Sequence, residues 1–198
     1  MDNKIKDEYF RSKGLLPHQA DFALDFIENT KKPYREYIAP TGTDKMLLAA
    51  NLIVYMLQTG SKKRILVLSP KQLLNQWYSV LSSLLLESKV AVAPVILDQN
   101  KYLELEINRI ESQELWPVSG VIIMSLDLAK REDILEGIST VTWDFIVIDE
   151  SHLLKGKRVD LLFHLINRKV ARRALFLSAT SDLPPVVVPL FKAEQPVF

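Results

Sequence analysis

The sequence contains no cysteine, which excludes a disulfide framework, a thiolate metal site and a cysteine nucleophile. No stretch approaches the roughly 18 to 20 consecutive apolar residues of a membrane helix, so no membrane partner is expected. Net charge is nearly absent as well. Lysine and arginine number 25 against 24 aspartates and glutamates, so any surface for a polyanion must be local rather than global. There is no internal repeat and no low-complexity tract. The charged opening segment, residues 1–11, has no apolar signal core, which makes a cytoplasmic location the expectation.

What is present is one domain's worth of alternating pattern. A length of 198 residues suits a single packed core. Short aliphatic or β-branched runs predict strands at Tyr37–Ala39, Arg64–Ser69, Val90–Leu97, Val121–Ser125, Phe145–Asp149 and Ala174–Ser178. Most are apolar on both faces, as buried parallel strands are. Helical spacing predicts connections at Pro17–Thr30, Lys45–Gln58, Lys71–Leu85, Gln99–Gln113, Asp127–Glu136 and Arg158–Val170. The fold class is therefore α/β, a mostly parallel sheet with helices on both faces. The proline-containing segment from Leu183 to Phe198 reads like a domain exit.

Chemistry-bearing signals fall at the carboxyl ends of predicted strands, where open α/β sheets bind ligands. After the first strand, Ala39-Pro-Thr-Gly-Thr-Asp-Lys-Met46 passes directly into a helix and can aim backbone N–H groups and Lys45 at phosphates. An ordinary strand-to-helix turn is the alternative. After the fifth strand comes Asp149-Glu150-Ser151-His152. One carboxylate there can hold Mg²⁺ through water while its neighbour orients the attacking water, or both can simply cap a helix. His152 can be a packed histidine. Ser178-Ala179-Thr180 after the sixth strand offers two hydroxyls, or a polar turn. Lys71 beyond the second strand can contact a phosphodiester backbone without reading sequence, or begin a solvated helix.

In this order the segments resemble the motifs of the amino-terminal RecA-like domain of superfamily-two helicases and translocases, closest to the Swi/Snf-type and RNA-polymerase-associated branch. Leu15-Leu-Pro-His-Gln19 resembles the glutamine segment before the P-loop, and Ala39–Met46 resembles motif I. Ile65–Trp77 is similar to motif Ia, with the Gln-Trp ending of the translocase form. Ile122–Asp127 resembles motif Ib, Asp149–His152 a DEAH-type motif II written DESH, and Ser178–Thr180 motif III. The resemblance implies a RecA-like P-loop NTPase domain over residues 1–198, with 1–34 a helical lead-in. It implies ATP and Mg²⁺ as cofactors, and Gln19, Thr41, Gly42, Thr43 and Lys45 at the nucleotide. Asp149 is implied at the metal, with Asp149 and Glu150 catalytic. His152, Ser178 and Thr180 are implied to couple nucleotide state to the track. Pro70, Lys71 and Ser125 are implied to face nucleic acid, DNA ahead of RNA.

The family pattern Ala-x-x-Gly-x-Gly-Lys-Thr is broken twice, by Asp44 at the last glycine and Met46 at the threonine. Aspartate adds a Cβ and a like charge beside a polyanion, and methionine offers no hydroxyl to Mg²⁺. Nucleotide binding is therefore expected to be weak or lost, unless Asp44 turns outward and helps hold a metal. No second RecA-like domain follows within residues 1–198, so one in cis or trans is expected as a partner, and isolated residues 1–198 are expected to be inactive. Two functions compete: the ATP-binding motor domain of a helicase or double-stranded-DNA translocase, and a non-catalytic helicase-like scaffold for nucleic acid or a protein. A small P-loop kinase leaves the Ser178–Thr180 match unexplained.

Overall fold

The computed structural model describes residues 3–40, 42–60, 63–102, 104, 116–117, 119–154, 165 and 170–180. Among them six strands form one sheet: β1 (Tyr34–Ile38), β2 (Arg64–Ser69), β3 (Pro94–Leu97), β4 (Gly120–Ser125), β5 (Phe145–Ile148) and β6 (Ala174–Ser178). Their spatial order is β1-β6-β5-β2-β4-β3, and every pairing is parallel. The α/β reading holds.

Side chains alternate across this sheet with the two-residue period of a strand. Ile65, Val67, Val121, Ile123, Phe145, Val147, Leu175 and Leu177 enter one core. Leu66, Leu68, Ile122, Met124, Ile146, Ile148 and Phe176 enter the other. The first core is closed by α1 (Asn3–Arg11), α2 (Pro17–Glu28), α3 (Lys45–Thr59) and α4 (Leu74–Glu87) through Phe10, Phe26, Leu52 and Trp77. The second is closed by α5 (Leu126–Ala129) and α6 (Glu132–Ser139), with Trp116 and Trp143 packed against them. The result is three layers, with helices on both faces.

Helix α3 is buried on nearly every side from Leu48 to Met56, which is why its sequence is apolar all round rather than striped. Truncating the fully buried Leu52 to alanine would remove about 2–5 kcal/mol from a core that this helix shares with five strands. Helix α2 is tied to the sheet by Arg173, which donates to the Phe26, Ile27 and Asn29 carbonyls and lies over the Phe26 ring.

Several boundaries differ from the sequence expectation. Strand β1 begins at Tyr34 rather than Tyr37, because an edge strand tolerates Arg35 and Glu36. Strand β3 begins at Pro94 rather than Val90: α4 runs to Glu87, Lys89 turns at φ 55°, and the Val90 N–H closes on the Leu85 carbonyl. The single helix expected over Asp127–Glu136 is two, since Arg131 is extended (φ −69°, ψ 137°) and starts α6 anew. The helix expected from Lys71 opens as a 3₁₀ turn, Lys71–Leu73, before α4. Residues 99–102 and 104 are helical as expected. The rest of that helix, most of the one expected over Arg158–Val170, and the exit segment lie outside the described residues.

Candidate functional site

In a parallel sheet every strand delivers its carboxyl end to the same edge. Register fixes what meets there: Ile38 lies beside Ser178, Ile148 beside Phe176, Leu68 beside Ile148, and Ser69 beside Ser125. The Ala39 N–H extends the β1–β6 ladder to the Ser178 carbonyl at 3.0 Å, and the Asp149 N–H extends β5 to the Leu68 carbonyl at 2.8 Å. The loops after β1, β6, β5, β2 and β4 therefore line one edge in that order. Segments far apart in sequence become neighbours there.

The loop between β1 and α3 is held by its own polar atoms. Gly42 takes φ 85°, a conformation natural to glycine, and Thr43 Oγ1 donates to the Pro40 carbonyl at 2.6 Å. Asp44, the last residue before α3, takes φ 47° and ψ 41°. This is the left-handed backbone that a glycine adopts freely, and aspartate tolerates it better than most residues. The Asp44 side chain is exposed and does not cap α3, and among the described residues no side chain bonds to the helix's first amides. Thr41 lies outside the described residues.

Lys45 opens α3 and is 8% exposed; its ammonium donates to the Ala39 carbonyl at 2.9 Å and the Pro40 carbonyl at 3.2 Å. The lysine thus crosses the mouth of its own loop. Met46 is half-buried against the first core, which accounts for an apolar residue at that place. Gln19, buried in the first turn of α2, accepts from the Leu16 N–H at 2.9 Å and donates to the Thr43 carbonyl at 2.7 Å. Both ends of its amide are spent on the protein.

Two strands away, Asp149 is 4% exposed. Its Oδ2 accepts from the Trp77 indole N–H at 2.8 Å and the Ser69 hydroxyl at 3.1 Å, and its Oδ1 accepts from the Glu150 N–H at 2.9 Å. Burial pushes this carboxyl above its ordinary range, and the Glu150 charge adds to the push; the Trp77 and Ser69 donors oppose it. Glu150 itself is left-handed, with φ 51°. Its Oε2 lies 3.2 Å from His152 Nδ1. The Ser151 hydroxyl is buried with no hydrogen-bond partner among the described residues. Among the described residues Asp44 and Glu150 are two of the three non-glycine residues with positive φ, and both stand at this edge, which is where strained backbone concentrates when geometry serves a ligand.

Ser178 is fully buried and its Oγ accepts from the Thr180 N–H at 3.2 Å. On the other side, Pro70 and the exposed Lys71 lead into the 3₁₀ turn, and Ser125 caps α5 by accepting from the Leu128 N–H at 3.1 Å. The expected residues are thus brought to one edge in two groups: Lys45, Ser178, Asp149 and Glu150 around β1, β6 and β5, and Pro70, Lys71 and Ser125 around β2 and β4. Trp77 and Ser69 were not among the expected site residues; each belongs to the segment similar to motif Ia, whose final tryptophan was its one visible signal. No cluster of three or more histidine, aspartate or glutamate side chains suited to a metal occurs among the described residues.

Residues 40–181 match the family model for the SNF2-related domain, which is most of the chain. The chain belongs to the SNF2-related domain family. It is 26% identical over 174 residues to an uncharacterized ATP-dependent helicase, YqhH, of Bacillus subtilis, covering 87% of this chain and 27% of that protein. To the RNA polymerase-associated protein RapA of Erwinia tasmaniensis it is 29% identical over 142 residues, covering 71% of this chain and 14% of that one. The chain thus spans between about a seventh and a quarter of the length of these two relatives. Its fold is similar to the Sulfolobus solfataricus SWI2/SNF2 ATPase core in complex with dsDNA, with a TM-score of 0.62 at 17% identity over 84% of this chain and 32% of that one. It is also similar to the UvsW helicase of bacteriophage T4, with a TM-score of 0.65 at 15% identity over 96% of this chain and 65% of that one. Among the described residues no helix is long and apolar enough to cross a membrane.

Proposed function

We propose that residues 1–198 form the amino-terminal ATP-binding domain of a nucleic-acid motor, a helicase or double-stranded-DNA translocase, with residues 1–34 as its helical lead-in. The observation that carries this reading is the meeting of Lys45, Ser178 and the Asp149–Glu150 pair on three adjacent strand ends beside the uncapped amino terminus of α3. A helix start with free amides and a lysine suits a polyphosphate. Asp149 suits Mg²⁺ held through water, and Glu150 is placed one residue on to orient a water for attack on the terminal phosphate. Gln19 acts by holding the loop at Thr43, and Ser178 with Thr180 links β6 to the nucleotide. Pro70, Lys71 and Ser125 form the face toward DNA. A second RecA-like domain, in cis or trans, supplies the other wall of the ATP cleft, so residues 1–198 alone turn over ATP negligibly. A cytoplasmic location goes with this role.

The donor set is thinner than the family pattern. Met46 gives Mg²⁺ no hydroxyl, and Asp44 adds a negative charge at the phosphate loop. At about 4 Å that charge opposes a phosphate by roughly 1 kcal/mol if water screens it and roughly 4 kcal/mol at an effective dielectric near 20. This spans about fivefold to several hundredfold in affinity. The exposure of Asp44 favours the lower end. Calorimetry of a non-hydrolysable ATP analogue with Mg²⁺ tests this: Asp44→Gly with Met46→Thr is expected to tighten binding at least fivefold, and equal affinities would refute the damaged-loop account.

A second reading is a helicase-like scaffold that binds nucleic acid or a protein without ATP. Its specific support is that the Lys45 ammonium and both ends of the Gln19 amide are engaged by the protein itself. It expects no analogue binding in either the native or the reverted sequence, together with DNA or partner binding indifferent to nucleotide.

A further inference from the structure

Three tryptophans are present, and all three donate their indole N–H inside the protein. Trp116 and Trp143 donate to the Gly137 and Ile138 carbonyls, where they close the end of α6. Trp77 is different: it donates to a carboxylate. Fully buried on α4, it reaches Asp149 across 72 positions of sequence, and Ser69 at the end of β2 reaches the same oxygen. Buried aromatic area alone would be served as well by phenylalanine; an indole N–H aimed at an acid is an additional requirement.

A count of lone pairs shows what this does. A carboxylate offers about four acceptor sites, two on each oxygen. Oδ2 has both filled, by Trp77 and Ser69, while Oδ1 has one filled by the Glu150 N–H. Among the described residues one site remains, on Oδ1. Two donors from different elements also fix the rotation of the carboxyl group, since turning it exchanges the oxygens and breaks both bonds at once.

We propose that Trp77 and Ser69 are positioning residues for Asp149, holding Oδ2 on the protein so that Oδ1 is the oxygen presented to the hydration shell of a divalent cation. This rests on the nucleotide-binding reading above. It also gives the Gln-Trp ending of Ile65–Trp77 a task at the nucleotide, although the same β2–α4 segment carries Pro70 and Lys71 on the proposed DNA face. The β2–α4 segment is thereby bonded to the acid that answers to the cation, so a change at one is felt at the other through two hydrogen bonds.

The test separates metal-dependent from metal-independent binding. A non-hydrolysable ATP analogue is titrated into the native protein, Trp77→Phe and Ser69→Ala, each with Mg²⁺ and with EDTA. Loss of a residue that orients a metal ligand lowers metal-dependent affinity by about 10- to 100-fold, so the gain from Mg²⁺ is expected to shrink by that factor in Trp77→Phe, with affinity in EDTA unchanged. A purely structural role would lower both together. If Trp77→Phe fails to fold, Ser69→Ala carries the test, because it removes a single hydroxyl. A second readout needs no nucleotide: the Trp77 indole proton, identified by its loss in Trp77→Phe, is expected to resist solvent exchange and to shift in Asp149→Asn, with Trp116 and Trp143 unmoved. Mg²⁺-dependent binding that is equal in all three proteins, or an indole proton indifferent to Asp149→Asn, overturns the positioning role alone. Absence of analogue binding in every protein, with or without Mg²⁺, overturns the nucleotide reading and this inference together.

Discussion

Gln19 and Thr43 are joined by a 2.7 Å hydrogen bond from the glutamine amide to the threonine carbonyl, and this bond ties α2 to the loop that precedes α3. The same side chain accepts from the Leu16 N–H in the first turn of α2. Replacing Gln19 by alanine leaves a part-buried carbonyl and a helix-start amide without partners, so stability is expected to fall by about 1 kcal/mol, the low end of the 1–3 kcal/mol usual for an unsatisfied buried group. Urea unfolding measures it. A loss below about 0.5 kcal/mol, less than one ordinary hydrogen bond, would mean that the loop holds itself through Thr43 and Pro40 without help from α2.

Positions 44 and 46 are expected to move stability in opposite directions. Asp44→Gly relieves a left-handed backbone that costs an L-residue about 1–2 kcal/mol, less the entropy that glycine loses on folding, for a net gain of about 0.5–1 kcal/mol. Met46→Thr withdraws an apolar side chain from the first core and is expected to cost about 1 kcal/mol. Thermal melts of the two single variants check the signs. Two variants that melt alike would mean that neither backbone strain nor packing governs this loop.

How much of this was legible in the sequence depended on whether the cause was local. Arg64–Ser69 and Ala174–Ser178 are legible with their observed limits because central parallel strands are buried on both faces and leave uninterrupted apolar runs. Tyr34–Glu36 was missed because β1 is an edge strand whose Arg35 pairs with Asp25 of α2 rather than entering the core. Helix α1 is legible only as part of a helical lead-in, since its nine residues are mostly charged and its docking depends on Phe10 meeting Tyr55 of α3. At the site, the strand ends were readable because each motif sits beside its own strand. The bond from Trp77 to Asp149 was not, because it joins two motifs through tertiary packing and neither residue's neighbours in sequence require it.

The Tyr9 hydroxyl is buried without a hydrogen-bond partner among the described residues, and burial first, then the charges of Glu87 and Tyr55, push its ionisation up to about 12. In the unfolded chain the same group ionises near 10. Between these values the folded state holds more protons than the unfolded one, so stability falls as pH rises from 10 toward 12 and is independent of this group below that window. Tyr9→Phe is expected to flatten that slope and, by removing an unsatisfied hydroxyl, to add about 1 kcal/mol at neutral pH. Denaturation midpoints at neutral and alkaline pH decide it. An unchanged alkaline slope would place the titrating group elsewhere.

Lys71 and Ser125 stand on neighbouring strand ends of the proposed DNA face, but they are not equivalent there. Lys71 is exposed and charged, whereas the Ser125 oxygen is already occupied as the cap of α5. A lysine that neutralises one phosphate releases its counterion, so Lys71→Ala should reduce the slope of log affinity against log salt by about 0.9 for duplex DNA and weaken all sequences alike. Ser125→Ala releases no counterion; it should leave the slope unchanged and cost about 1 kcal/mol of stability through the lost cap. Titrating both variants with DNA across a salt series, alongside their melting curves, tests the pair. If Lys71→Ala leaves the slope intact, this lysine only opens the turn into α4, and the face toward DNA must be sought elsewhere.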